Sequence, residues 1–582
     1  MASTNDTKAL HRFIRRKLSS KNSLPAIRDA AGELSFDALE RANIFNTVFS
    51  AVFTVDDGLT SNVAAPPGLN GACLNSIVVS TTDVFRTMRG LFPGGAAGPD
   101  GTPPLILFQL ADVLADPLAV IFQRSLEDGR LPSEWLNAFI TPVFKKGNPS
   151  LASNYRPISL TCVACRVLEK IIATSILEFC LNNGVFKNQF GFLPYRSAAG
   201  QLLRSFDFWT NAIDNRNPFH TVYLDFARAF DRVSHEKLLF RLYHIGIRQD
   251  VLGWIRSFLS GRMQRVRVDS SYSSYCNVTS GVPQGSVLGP LLFAIFIDTL
   301  SECINGDKLW LFADDSEVSR VVKTTADFVA LQGTLDRISS WTNTWQLPLA
   351  ENKCQVLAGG KGLAPNYSLN GVPVAVVNQV THLGVECTDT LCFSIHCAKL
   401  AAKGHQKSYI LRKCFPTSDA HTLVKVFKTY VRPIVEYCSV IWSPYLKKDI
   451  EILENVQRKF TKSLPGMKNK SYDERLSALS LDSLELRRIK IDLITCFRLL
   501  RGEMYQGEGE SILGNILSCR TRGHDWRFGW PKARLNCRHH FFVSRVGRIW
   551  NKLPAFVVDA PSVHSFKHRL SSVILKIYCV VF

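Results

Sequence analysis

Hydrophobic and polar positions along the chain follow two periods, and the switches between them outline its elements. Short runs rich in β-branched and aromatic residues predict strands at residues 139–147 and 154–160, joined by a polar loop, at Val222-Tyr223-Leu224, and at Leu309-Trp310-Leu311-Phe312. Elsewhere the apolar spacing is helical. The turn signal Gly98-Pro99-Asp100-Gly101 precedes a helical pattern through Leu105, Leu107, Phe108 and Leu110 to Phe122. Ser234 stands where an N-cap belongs for a helix carrying Leu238, Leu239 and Leu242, with Gly246 as its stop. Ser35 is placed in the same way before a helix running towards Phe49. From residue 396 to about 470 the pattern is helical throughout, passing Leu411, Val424, Phe427, Ile434, Val456 and Phe460. Residues 61–97, rich in Ala, Pro, Gly and Thr, read as a loop or linker, and residues 1 to about 60 as a basic connector.

Composition narrows the class. With 582 residues, 46% of them apolar, the chain is folded and divides into roughly two to four domains. A formal charge of +20 asks for a polyanionic partner, and aromatic residues interleaved with the basic ones favour nucleic acid over an acidic membrane surface. Sixteen cysteines scattered through apolar segments such as Thr161-Cys162-Val163-Ala164-Cys165 do not form a secreted disulfide framework, so a reducing compartment, nucleus and cytoplasm, is expected. No apolar run reaches the roughly 18–20 residues needed to cross a bilayer. The opening segment, with Lys8, Arg12, Arg15, Arg16 and Lys17, lacks the apolar core of a signal peptide.

The candidate chemistry lies in acids that end strands. Leu309-Trp310-Leu311-Phe312-Ala313-Asp314-Asp315-Ser316 is an apolar run delivering two adjacent carboxylates, and Val222-Tyr223-Leu224-Asp225 delivers a third. None could stay ionised in a core without a partner or a metal. If the strands are neighbours, these acids form an oxygen cage for two Mg²⁺ ions, which favour carboxylate and phosphate oxygens. Such a pair suits phosphoryl transfer, one ion sharpening a hydroxyl nucleophile and the other steadying a leaving pyrophosphate.

The Phe-Ala-Asp-Asp box, the stretch from Asp225 to Phe230, and Ser280-Gly281-Val282-Pro283-Gln284-Gly285-Ser286-Val287-Leu288-Gly289-Pro290 resemble, in order and spacing, the catalytic segments of reverse transcriptases from non-LTR (LINE-type) retrotransposons. The resemblance runs from about Gly98 to the C-terminus, and its downstream half is most similar to the jockey-like elements. It implies an α+β right-hand polymerase that synthesises DNA on an RNA template. Residues 1–97 would be connector and linker, 98–385 fingers and a palm built on an antiparallel sheet, 386–470 a helical thumb, and 471–582 a basic nucleic-acid-binding region. Asp225, Asp314 and Asp315 would be the catalytic metal ligands for two Mg²⁺ ions, with Mn²⁺ able to substitute. Partners would be an RNA template, a DNA primer or nicked target DNA, and dNTPs, with no membrane. The sequence does not specify an oligomeric state.

The resemblance also assigns roles by position. Lys145 and Arg156 would hold the triphosphate. Phe230 would lie over the sugar and exclude a 2′-hydroxyl, its alternative being a core aromatic. Gln284 would meet template or nucleotide from a Gly/Pro turn, and Lys353 would protonate pyrophosphate. Arg196 falls in a template-contacting segment at residues 189–197. Gly384 falls in the hairpin that grips the primer end, where His382 is expected to be packed rather than catalytic. Arg458 and Lys459 lie on the thumb's basic face. The stretch from Cys519 to Lys552 holds nine Lys or Arg against one acid, with aromatics between them, and places Arg534 and Arg538 on RNA or single strands. Its Cys and His residues fit neither paired Cys-x₂-Cys nor a standard zinc finger.

Leu193 and Tyr195 stand where the family more usually has Arg and Gly, and Asp298-Thr299 where it has Asn-Asp. An endonuclease usually precedes the connector in the family, and this chain is expected to lack it. The competing reading is therefore a truncated element relic that binds nucleic acid without polymerising.

Overall fold

The period-two segments pair into two separate sheets in a computed structural model, which describes residues 24–59, 71–415, 419–505, 507, 511–513, 524–529 and 532–581. The basic opening with Lys8, Arg12, Arg15, Arg16 and Lys17, residues 60–70 at the start of the expected linker, Cys519 and Trp530 lie outside the described residues. The strands that matter are β1 Asn137–Phe144, β2 Tyr155–Leu160, β3 Phe219–Leu224, β4 Met263–Val268, β5 Lys308–Phe312, β6 Asp315–Val321, β7 Gln355–Gly359 and β8 Ala375–Val377. Two more, β9 Gln379–His382 and β10 Val385–Thr388, form a hairpin of their own.

The first sheet runs β2-β1-β4, with short pieces added on β4. Its β1 and β2 are antiparallel and set Val143 opposite Arg156, while β1 and β4 are parallel. The second sheet runs β8-β7-β3-β6-β5. Its β7, β3, β6 and β5 pair antiparallel. The edge pair β7 and β8 is parallel, which departs from the all-antiparallel expectation.

Strand β3 is buried along its whole length because helices cover both faces of this sheet. The covering elements are α5 Ala198–Asp214 on one side and α6 Gly289–Ile297 on the other. Val222 and Leu224 pack into one core with Leu292 and Phe296 of α6, whereas Phe219 and Tyr223 pack into the other with Leu203, Phe206 and Trp209 of α5. This alternation is the strand period acting in a fully covered sheet. It fixes the register, because a slip of one residue would exchange the two cores.

The linker expected at residues 61–97 is not one in its described part. Helix α2 Thr81–Arg89 is capped by Ser80 and buries Val84 and Met88 in the same core as Phe122 of α3 Ala111–Glu127 and Val167 of α4 Val163–Asn182. Small residues upstream of α2 had disguised its apolar stripe. Ahead of it, α1 Ala38–Ser50 is capped by Asp37, whose side chain accepts the Glu40 amide, and not by Ser35. Ser35 instead donates to the Glu40 carboxylate at 2.7 Å. Helix α1 lies against the first sheet, with Phe45 edge-on to Tyr155 at 4.9 Å.

The boundary expected at 470/471 does not separate two bodies either. Residues from α7 Ser394–Cys414 and α8 Lys447–Lys462, such as Leu411 and Phe460, share one apolar core with Leu493 and Phe497 of α9 Leu484–Leu500, with Trp550, and with Trp209 of α5. Basic composition had drawn attention to the surface of the last hundred or so residues. Their buried stripe joins them to the helices before them.

Phe45→Ala removes a fully buried ring that supports Tyr155 beside Arg156. It should destabilise the first sheet by roughly 3–5 kcal/mol, seen as a lowered melting temperature by calorimetry.

Candidate active site

Each acid reaches the site through strand geometry. Leu224 pairs with Ser316 across β3 and β6, so one further step of register sets Asp225 opposite Asp315. Phe312 pairs with Asp315 across β5 and β6, which leaves Ala313 and Asp314 as a two-residue turn. Ala313 takes a left-handed backbone, φ 57°, as the tight turn demands. Asp225 and Asp315 are exposed and Asp314 is half-buried. The backbone of Asp225 is pinned as well, its carbonyl accepting the Ala350 amide at 2.7 Å.

The electrostatics are those of crowded acids. Desolvation raises the pKa of Asp314, and the charges of Asp315 and Asp225 push it further, with Lys145 partly relieving it. Asp315 is raised by desolvation in the same cleft and by Asp225, while His382, Lys145 and Arg156 pull it back. Cations from the loop and strand at 145 and 156 thus act on the acids of the second sheet. Lys145 and Arg156 are both exposed and open to a ligand. Among the described residues, no three acid, His or Cys side chains are already gathered into a metal cluster. The donors present are nonetheless hard carboxylate oxygens whose mutual repulsion the nearby cations only partly offset, a set that suits a hard divalent cation.

Beneath the acids lies a buried polar network. Glu317, two residues along β6, accepts from Ser205 and, at 3.3 Å, from Gln201 of α5, and faces His382 Nε2 at 3.5 Å. Burial alone would lower the His382 pKa, but Glu317 and Asp315 outweigh it and raise the value, favouring a charged imidazolium. His382 is therefore packed, as expected, and also paired. Its hairpin closes on Leu383, φ 44°, and Gly384, φ 79°, a turn with both central residues left-handed. Tyr437 donates to the Leu383 carbonyl at 3.0 Å and its ring would meet a Cβ at Gly384 at 3.1 Å.

The other assigned residues fall into two groups. Lys353 is exposed on a short turn just beyond the Ala350 amide that holds Asp225. Lys459 is exposed on α8. Phe230 is stacked on Phe293 at 4.1 Å and meets Phe192 edge-on at 6.1 Å, so it is at least the packed aromatic of the two alternatives. Gln284 is turned inward, donating to Asp231 at 2.7 Å, and burial lifts that carboxylate to a pKa of about 6.

One arginine assigned to nucleic acid, Arg538, requires correction, and the others make contacts within the chain. Arg538 is buried on α10 Asn536–His539, where it pairs with Asp207 at 2.6 Å and meets Thr210 of α5. Arg534 binds the Asp214 carbonyl with its guanidinium. Both tie the C-terminal region to α5, Arg538 through the Asp207 carboxylate and Arg534 through the last carbonyl of the helix, while the Asp214 carboxylate accepts the amides of Arg534 and Leu535 at 2.8 Å. Arg196 donates to the carbonyls of Gln189 and Phe186 and lies over the Tyr505 ring at 3.5 Å. Arg458 lies over Tyr472 at 5.2 Å. Of the histidines near the C-terminus, His524 faces the Trp550 carbonyl and His540 stacks on Tyr445.

Other residues escaped notice in the sequence. A groove of about 440 Å³ runs from Gly384 along α7, lined by Leu400, Lys403, Gln406, Lys407, Ile434 and Tyr437 among others. Lys399, Lys403 and Lys407 recur every four residues, a helical spacing that was legible in the sequence. Gln189 and Glu317 gave no such signal, since their partners lie more than a hundred residues away.

A sheet hairpin ending in paired carboxylates lies opposite a third and is faced by cations from the first sheet. Residues 143–387 match the family model described as reverse transcriptase (RNA-dependent DNA polymerase). The RNA-directed DNA polymerase from mobile element jockey of Drosophila melanogaster is 29% identical over 375 residues, covering 61% of this chain and 40% of that protein. A probable RNA-directed DNA polymerase from transposon X-element and another from transposon BS, both of Drosophila melanogaster, are each 29% identical as well. They cover 60% and 58% of this chain and 40% and 39% of their own lengths, so the matched region spans about two fifths of these relatives. Residues 143–387 thus match a reverse transcriptase domain, and the chain is similar to the RNA-directed DNA polymerases of jockey, X-element and BS.

Arg538→Met should lower the melting temperature while leaving template–primer affinity within about twofold, because it breaks a buried pair. Lys459→Ala should do the reverse, lowering affinity and reducing the salt slope of binding by about 1 in a titration of fluorescence anisotropy.

Proposed function

We propose that this chain is an RNA-directed DNA polymerase that extends a primer 3′-hydroxyl with dNTPs on an RNA template. One observation carries the proposal: Asp225 opposite the Asp314-Asp315 turn, with Lys145 and Arg156 close enough to stabilise the acids' ionised forms. We assign the first sheet and its helices to fingers, the second sheet to the palm, and the helices from α7 to α8 to a thumb. The region after residue 470 acts as an extension of that thumb core.

Asp225, Asp314 and Asp315 hold divalent metal, Mg²⁺ in the first instance, with Mn²⁺ as a substitute. When bound, the ions supply positive charge to the attacking hydroxyl and the departing pyrophosphate. Lys145 and Arg156 bind the triphosphate, and incoming phosphate oxygens complete the carboxylate edge. Phe230, held by Phe293, presents its ring to the sugar and disfavours a 2′-hydroxyl. Lys353 gives a proton to pyrophosphate. The turn at Leu383 and Gly384 supports the primer end, and Lys403 and Lys407 follow the duplex backbone along the α7 groove. A nicked chromosomal strand would serve as primer. No helix among the described residues is long and apolar enough to cross a membrane; nucleus and cytoplasm are the proposed compartments.

Purified protein given poly(rA)/oligo(dT), dTTP and Mg²⁺ should extend the primer. Asp314→Ala should reduce extension by about a thousandfold or more while sparing template–primer binding. Binding without extension by the parent protein would instead select the relic. Protons and metal compete for carboxylates whose pKa values are raised, so lowering the pH protonates them and weakens metal binding. The Mg²⁺ concentration for half-maximal extension should therefore rise as the pH is lowered from neutrality towards the carboxylate range; a requirement that stays flat throughout would contradict the assignment.

A further inference from the structure

The loop after α4 makes a specific set of contacts with the acidic turn. Gln189 is fully buried, and its Oε1 accepts the Ala313 amide at 2.9 Å and the Gly191 amide at 2.7 Å. Two backbone donors converging on one atom fix the orientation of the side-chain amide, because only the oxygen can accept both. Ala313 is the left-handed residue immediately ahead of Asp314. A non-glycine residue in that conformation persists where its surroundings hold it.

The main chain reinforces the side chain. Phe190 donates to the Leu311 carbonyl at 2.7 Å, and Leu311 donates to that of Asn188 at 3.0 Å. This parallel bridge lies on β5, the edge strand of the palm sheet. Gly191 sits so close that a Cβ there would stand 2.6 Å from the Ala313 nitrogen. Behind the loop, Arg196 binds the Gln189 and Phe186 carbonyls and stacks on Tyr505, which lies just beyond α9. Tyr505 in turn donates its amide to the Tyr195 carbonyl at 2.8 Å and its hydroxyl to that of Lys187 at 3.0 Å.

We propose that Gln189 is a positioning residue that holds the Ala313-Asp314 turn in register for catalysis, and that Tyr505, through Arg196, braces its loop from the C-terminal half of the chain. The proposal rests on the polymerase function and adds a residue to it. The residue type follows from the geometry: the turn needs a neutral acceptor, since a carboxylate at this place would add a fourth negative charge to those of Asp225, Asp314 and Asp315. Methionine matches the shape of glutamine and cannot accept both amides. Glutamate keeps the acceptor and adds the charge.

The test uses the full chain and its Gln189→Met, Gln189→Glu and Tyr505→Ala variants. Each is assayed for single-turnover extension of oligo(dT) on poly(rA) across dTTP concentrations, and for template–primer affinity by anisotropy. Gln189→Met should lower the maximal rate about tenfold or more, leaving template–primer affinity and half-saturating dTTP within about twofold, as a misplaced carboxylate would. Gln189→Glu should recover part of that loss at saturating Mg²⁺. Tyr505→Ala should lower the maximal rate about threefold or more, again without loss of affinity. A Gln189→Met protein that extends within about twofold of the parent, or that loses affinity and rate in equal measure, would overturn the role of Gln189. If Gln189→Met melts below the assay temperature, Tyr505→Ala decides, and an unchanged rate there overturns the brace. A parent protein that binds but never extends would instead overturn the polymerase function and this role with it.

Discussion

Like charges resist being brought together, and the active site of this chain is built around that resistance. Three carboxylates are delivered to the mouth of one sheet by the pairing of β3, β5 and β6. Their mutual repulsion and partial burial raise the pKa of both turn acids. Such an arrangement costs stability and persists only where the scaffold enforces it. The enforcement is visible in covalently distant parts: the Ala350 amide on Asp225, the Gln189 carboxamide on Ala313, and cations at 145 and 156 reaching across from another sheet.

The same constraint explains the buried network below. His382 faces Glu317 at 3.5 Å, its pKa raised by Glu317 and Asp315 against the effect of burial, and it belongs to a hairpin whose turn rests on Tyr437. Electrostatics of the acidic turn and placement of the hairpin at residues 379–388 are therefore coupled through one residue. The C-terminal half is coupled too, by Arg538 and Arg534 to α5 and by Tyr505 to the loop at 186–196. Basic residues there serve the cohesion of the fold.

Much of this was legible in the sequence because it is local. Runs rich in β-branched and aromatic residues marked β1, β2 and β5, although β1 ends at Phe144 and leaves residues 145–147 in the loop, and an apolar run ending in acids marked the turn at Asp314 and Asp315. Ser234 does cap its helix, at 3.2 Å to the Lys237 amide, and Gly246 takes the left-handed backbone of a stop. The misses came from tertiary structure. Asp37 rather than Ser35 caps α1, because the chain turns two residues later than the serine suggested. Residues 71–97 hid a packed helix behind a linker-like composition. Arg538 read as exposed because charge is visible in a sequence and its buried partner, Asp207, more than three hundred residues away, is not. Gln189 opened a segment read as template-contacting, and its contact with the turn could not have been found without knowing which edge its loop lies on.

A titration of Mn²⁺ followed by electron paramagnetic resonance, with template–primer and a non-reacting dNTP analogue present, tests the three acids as one site most directly. Two ions should bind per chain, and both Asp225→Asn and Asp315→Asn should weaken their uptake by about tenfold or more. Mn²⁺ uptake that is unchanged in Asp225→Asn would show that the acid of β3 does not share a site with the turn, and would contradict the account.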